Sequence, residues 1–98
     1  MILQWDEAKN RRNLAKHKIS FETASLVFDD QHALSMSDRI VDGEERWQTL
    51  GMISEITLIV VHTWKDEDDA EVIRIISARK ATASERRAYA ETQRRPGK

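Results

Sequence analysis

Two periods divide the chain. Up to residue 28 the apolar positions recur every three or four residues, whereas from residue 46 to 78 they alternate or run together. The first pattern predicts helices behind a short strand or extended lead-in over 2–5. Asp6 is a suitable N-cap, and Glu7 puts negative charge in the first turn, where it complements the helix dipole. A mostly polar helix over 7–16 follows, with Ala8, Leu14 and Ala15 as its expected apolar contacts. Ser20 is a second N-cap, and Phe21, Ala24, Val27 and Phe28 predict a short buried helix over 21–28.

The second pattern predicts strands. Residues 32–36 read as one, followed by a polar turn over 37–44 that contains Asp42-Gly43. Residues 46–52 and 55–64 read as an antiparallel pair turning near Ser54, and the apolar run 56–61 marks a central strand. An acidic stretch, 65–71, reads as a solvated hairpin loop before a last strand over 72–78. Thr82-Ala83-Ser84-Glu85 fits a capping box and opens a final helix to about Arg94, leaving 95–98 as a frayed tail. Two helices, a three- or four-stranded antiparallel meander and one helix predict a single α+β domain over 1–98.

One residue disturbs the last strand. Alternation puts Val72, Arg74, Ile76 and Ala78 on one face and Ile73, Ile75 and Ser77 on the other. A buried guanidinium without a partner costs on the order of several kcal/mol. Arg74 therefore either pairs with an acid across the sheet, Glu45 or Glu55, or stands on an open face where Arg46, Arg74 and Arg79 converge on phosphates. Arginine suits the second role because its planar fork binds phosphate oxygens in pairs and stays charged.

Charge changes the picture further. The net charge of −1 conceals a division along the chain. Residues 1–21 carry five Lys/Arg against two Asp/Glu, residues 22–71 three against thirteen, and residues 72–98 eight against two. A fold that joins the two ends would make a basic face able to attract a polyanion.

The chain has no cysteine, which excludes disulfides, thiolate metal sites and cysteine nucleophiles. Its three histidines, His17, His32 and His62, lack metal-ligand spacing, and His62 inside a strand reads as a satisfied, half-buried residue. There is no phosphate-binding loop, dinucleotide fingerprint or serine-nucleophile motif, so no metal or cofactor is expected. The N-terminus has no apolar leader segment, and no apolar stretch nears the ~20 residues of a membrane span. A soluble cytoplasmic protein is expected.

Two ordered motifs carry a resemblance. Trp5-Asp6-x-x-Lys9-x-x-x-Asn13-x-x-Lys16-His17-x-Ile19-Ser20-Phe21-x-x-Ala24 resembles the N-terminal half of the BrnT family, the toxins of BrnT–BrnA type II toxin–antitoxin pairs. Arg74-Ile75-Ile76-Ser77-Ala78-Arg79-Lys80-Ala81, then Glu85-Arg86-x-x-Tyr89, is similar to that family's C-terminal motif. Glu45-Arg46 and Gly51 stand between them as in the family. The resemblance implies a fold like RelE-type ribonucleases and a toxin that halts translation by cutting RNA. It also implies a BrnA-like antitoxin with a ribbon-helix-helix DNA-binding part, which would form a hetero-oligomer with the toxin and repress its operon through operator DNA.

RNA carries its own nucleophile, the 2′-hydroxyl, so metal-free cleavage asks the protein to move a proton and to stabilise charge on phosphorus. Under the resemblance, Arg46, Arg74 and Arg79 would hold phosphate and stabilise charge, His17 would shuttle a proton, and Glu45 would be the general base. Lys9, Lys16, Lys80 and Arg86 would contact RNA. Tyr89, Trp47 and Trp64 are expected to pack rather than stack on bases, and an antitoxin would cover the basic groove. Two other readings stay open: a non-catalytic module that binds an antitoxin and tunes repression, and a stand-alone DNA-binding protein using its last helix. Glu85 and Glu91 in that helix count against the second.

Overall fold

Three two-residue turns build most of the sheet. Asp42 and Gly43, both at positive φ, join β2 (Leu34–Val41) to β3 (Glu44–Ile53), and Ser54, at φ 55°, opens the turn into β4 (Ile56–His62). Asp68 and Asp69, also at positive φ, join β5 (Lys65–Glu67) to β6 (Ala70–Lys80). Such turns match the twist of the strands they connect. The remaining elements are β1 (Ile2–Trp5), α1 (Glu7–His17), α2 (Phe21–Ala24) with a 3-10 turn over Ser25–Asp29, and α3 (Ala83–Arg94). This computed structural model describes residues 1–94; the expected tail at 95–98 lies outside the described residues.

The fold is α+β, as the periods predict, but the sheet is larger than the expected meander. Its six strands run in the order β1-β6-β4-β3-β2, with β5 also beside β6. β1 pairs parallel to β6, Ile2 opposite Val72 and Trp5 opposite Ile75, so the sheet is mixed. That pairing joins residues about seventy positions apart, for which no local pattern exists. Residues 37–41, expected in a turn, continue β2; Ser37, Asp38 and Arg39 are tolerated there because β2 is an edge strand with exposed faces. Part of the expected acidic loop is likewise strand, since β5 pairs with the start of β6.

Both sheet faces carry a core. On one, Ile19, Phe21, Ala24 and Val27 pack against Leu58, Val60, Ile75 and Ala78. On the other, Ala81 and Tyr89 of the C-terminal segment cover Leu50 and Ile59. Gly51 permits a close approach of the 3-10 turn: a Cβ there would lie 2.6 Å from Val27 Cβ. The Tyr89 hydroxyl donates to Asp30, whose carboxylate also accepts the N–H groups of His32 (2.9 Å) and Met52 (2.8 Å). Burial works against ionisation of Asp30, but these bonds outweigh it and hold the carboxyl below its usual range. Burial, aided by Asp30, pushes the Tyr89 phenol up to about 12.

Two expectations need correction. The β4–β6 register slips between Ser77 and Ile75, so strict alternation fails, and Ile75 and Ala78 share one core. A bulge of this kind adds an unpaired residue and re-aims its neighbours. The second correction concerns α1, which does not dock through Leu14 or Ala15: both are exposed, Leu14 at 48%. Its buried residues are Asn10 and Asn13. Asn13 accepts the Ala78 N–H (3.1 Å) and donates to the carbonyls of Ala78 and Ile19 (2.9 Å each), behaving like a short piece of missing strand. Asn10 accepts the Phe21 N–H at 2.8 Å and donates to Glu22 at 3.1 Å.

Candidate functional site

Where α1 lies along β6, the bulge leaves a cleft of about 300 Å³ lined by Lys9, Arg12, Asn13, Lys16, His17, Ile76 and Ser77. The chain builds it locally. Asp6 caps α1 by accepting the Ala8 N–H at 3.0 Å, and Lys18, at φ 63°, closes the helix through its N–H to the Leu14 carbonyl at 2.9 Å. Between these caps, positions 9, 12 and 16 fall on one helical face. Among the described residues none of Lys9, Arg12 and Lys16 makes an ion pair. Three uncompensated cations and an imidazole thus face a serine on the bulged strand. The arrangement can hold an anion and offers a group able to carry a proton.

The arginine positions lie elsewhere. On the sheet face opposite α1, Arg74 donates to Glu44 at 2.7 Å, and Lys65 lies 3.1 Å from the other Glu44 oxygen. Lys65 first, and with it Arg74, hold the Glu44 carboxyl below its usual range against the opposing effect of burial. Arg74 therefore has an acidic partner, but it is neither Glu45 nor Glu55. Arg79 forms a two-pronged pair with Glu85 at 2.9 and 3.0 Å; Glu85 also closes the α3 capping box on Thr82. That arginine, with the Thr82 bonds, pulls the Glu85 carboxyl down to about 2. Arg46 is different. Its Nε is buried without a hydrogen-bond partner among the described residues.

The expected site residues therefore do not share one pocket. Lys9, Lys16 and His17 come together in the α1 cleft. Arg74 borders another hollow beside Gln4, Trp5 and Asp6. Glu45 follows Glu44 in β3 and so points away from Arg46; it accepts the Ser37 hydroxyl at 2.8 Å. Lys80 lines an apolar cleft with Lys18 and Leu58, and Arg86 donates to the Ala81 carbonyl at 3.1 Å. Sequence reading missed Arg12 and Glu44. Arg12 was legible, because it lies three residues after Lys9 and four before Lys16 on one helical face. Glu44 was legible only as the acid two positions from Arg46.

His62 is no part of either surface. It is fully buried, and its Nδ1 lies 3.0 Å from the Thr63 carbonyl, to which it must donate. Nε2 consequently accepts from the Thr49 hydroxyl at 2.7 Å, which accepts in turn from Ser35 at 2.7 Å. Burial holds the imidazole below its usual pKa despite the Thr63 carbonyl, which favours the charged ring. Among the described residues no group of three His, Cys, Asp or Glu side chains is placed to hold a metal ion, and no helix is long and apolar enough to cross a membrane.

The family model described as the ribonuclease toxin, BrnT, of type II toxin–antitoxin systems matches residues 5–85. The chain belongs to the BrnT family. That match spans both walls of the α1 cleft and the arginine face, and stops at Glu85, before Arg86 and Tyr89. No curated protein matches the chain. BrnT membership brings an RNA substrate and an antitoxin partner as class properties. It also gives Asn13 a structural meaning: this motif position fastens one wall of the cleft to the other.

Proposed function

We propose that this BrnT chain is a metal-independent endoribonuclease of the cytoplasm whose reaction centre is the α1–β6 cleft. The observation that carries this reading is His17 standing with Lys9, Arg12 and Lys16, three cations without ion pairs among the described residues, against the bulge at Ser77. The lysines and Arg12 grip the scissile phosphate and stabilise charge as the 2′-oxygen attacks phosphorus. His17 accepts the 2′-proton and returns it to the 5′-oxygen as the P–O5′ bond breaks. The products are a 2′,3′-cyclic phosphate and a 5′-hydroxyl. Arg46 and Arg74 serve as backbone contacts on the face opposite α1, while Arg79 positions α3 through Glu85. Glu45 has no part in this scheme. The layout also fits a RelE-like fold, with the N-terminal helices on one face of an antiparallel-rich sheet and the arginines on the other.

The proposed partner is a BrnA-like antitoxin with a ribbon-helix-helix part, which covers the basic cleft and represses the operon through operator DNA. Translation stops when the free toxin cuts RNA. Purified protein in excess EDTA should cut RNA to cyclic-phosphate ends, and His17→Ala, with an unchanged melt, should lower the rate by about 10²–10⁴-fold. Cutting that vanishes with EDTA and returns with a divalent ion would sink the metal-independent scheme. No cutting and no growth arrest on expression without the antitoxin would leave the non-catalytic interaction module.

A further inference from the structure

We propose that Arg39 and Arg46 form a second phosphate-binding subsite, on the sheet face opposite α1, that holds the RNA backbone away from the cleft where it is cut. The proposal rests on the ribonuclease reading above and adds a residue, Arg39, that neither the motifs nor the charge pattern singles out.

The β2–β3 register supplies the first observation. Ser37 pairs with Trp47, and in a regular ladder Asp38 would come next, opposite Arg46. Instead the register shifts between Ser37 and Arg39, so that Arg39 stands opposite Arg46. A bulge has exchanged an acid for a second arginine. Like charges directly opposite in an antiparallel pair destabilise it. A sheet selected only for stability would have kept Asp38 in register.

The second observation is that, among the described residues, the pair meets a single acid, Asp38, and only at the outer limit of an ion pair. Arg46 Nε is buried without a partner, and leaving such a donor unmade costs about 1–3 kcal/mol. Arg39 touches only its neighbour Asp38, at a long 4.0 Å, with 73% of its side chain exposed. The acid nearest along the strand on the same face, Glu44, is occupied by Arg74 and Lys65. Two guanidinium groups with Cβ atoms about 5 Å apart can grip one phosphate from both sides. Such a grip removes the repulsion between the two guanidinium groups.

The experiment uses the full chain and an oligoribonucleotide carrying 2′-O-methyl groups, which binds without being cut. Its affinity is measured by fluorescence anisotropy over a salt series. For a single strand the slope of log K against log salt falls by about 0.7 for each phosphate that the protein no longer neutralises. Arg39→Ala should flatten the slope by about that amount, and Arg39→Glu should weaken binding further, both with a melting temperature no lower than the parent's, since each relieves the repulsion opposite Arg46. An unchanged slope overturns the subsite. So does weakening of antitoxin binding without any change for RNA, which would give the face to the protein partner. Inorganic phosphate is the third arm: if it binds the parent as tightly as the oligonucleotide, the pair is a free-anion site and the backbone assignment falls. A parent that binds the oligonucleotide yet cuts no unmodified RNA sinks the catalytic reading alone, and the slope still decides the subsite.

Discussion

At the scale of single residues, buried polar side chains do what the apolar core does not, satisfying polar groups between elements. His62 is neutral in the fold because burial outweighs the single carbonyl that favours its charged form. Its folded pKa lies below the unfolded value near 6.5, so its contribution is present above that pH and is lost as pH falls through the folded pKa. Thermal melts between pH 7.5 and 5 should show stability falling by up to about 1.4 kcal/mol per pH unit below 6.5 from this residue. His62→Gln should flatten that dependence. Asn13 gives a second expectation. Asn13→Ala strands the buried N–H and carbonyl of Ala78 and should cost roughly 2–4 kcal/mol in a denaturant titration. The sequence placed His62 correctly in a strand as a satisfied residue. It offered no sign that asparagines fasten α1, since an amide filling a gap at a strand edge has no periodicity.

At the scale of elements, local signals served well where turns and caps are short. The helix start at Asp6, the Asp42-Gly43 hairpin and the Thr82–Glu85 capping box are all where residue chemistry puts them. What escaped notice were the strand β1, as a partner of β6, and the two bulges: β1 and the β6 bulge depend on partners far along the chain, and the β2 bulge falls in an exposed edge strand whose apolar pattern does not register it. The Asp68-Asp69 turn shows a local cost the fold tolerates: two non-glycine residues at φ 51° and 64°. Asp69→Gly should raise stability by about 1 kcal/mol, read as a higher melting temperature. Gly51→Ala should do the reverse. Its Cβ meets Val27, and overpacking of this kind costs about 1–3 kcal/mol, visible as a lower denaturant midpoint.

At the scale of the whole molecule, charge is sorted in space as it is along the chain. The exposed acids Asp66, Glu67, Asp68 and Asp69 sit at the β5–β6 end, and the α1 cleft lies roughly 20 Å away along β6. The acids repel a polyanion at one end while the cations draw it to the other. Replacing Asp66, Glu67 and Asp68 with their amides should make the protein leave a heparin column at higher salt. Unchanged retention would mean that the hairpin field does not reach the basic surfaces.

The joining of α1 to β6 also has a consequence in time. One wall of the cleft comes from residues 9–17 and the other from residues 76 and 77. A ribosome making this chain releases the cations of the first wall early, but has no second wall to set them against until it has read past Ser77. Asn13 can meanwhile reach the Ile19 carbonyl, but its two bonds to Ala78 wait until that residue has been made. Chains abandoned before that point therefore carry the cations of the cleft without the cleft, and the machinery that makes this protein meets its assembled form only after translation has passed Ser77.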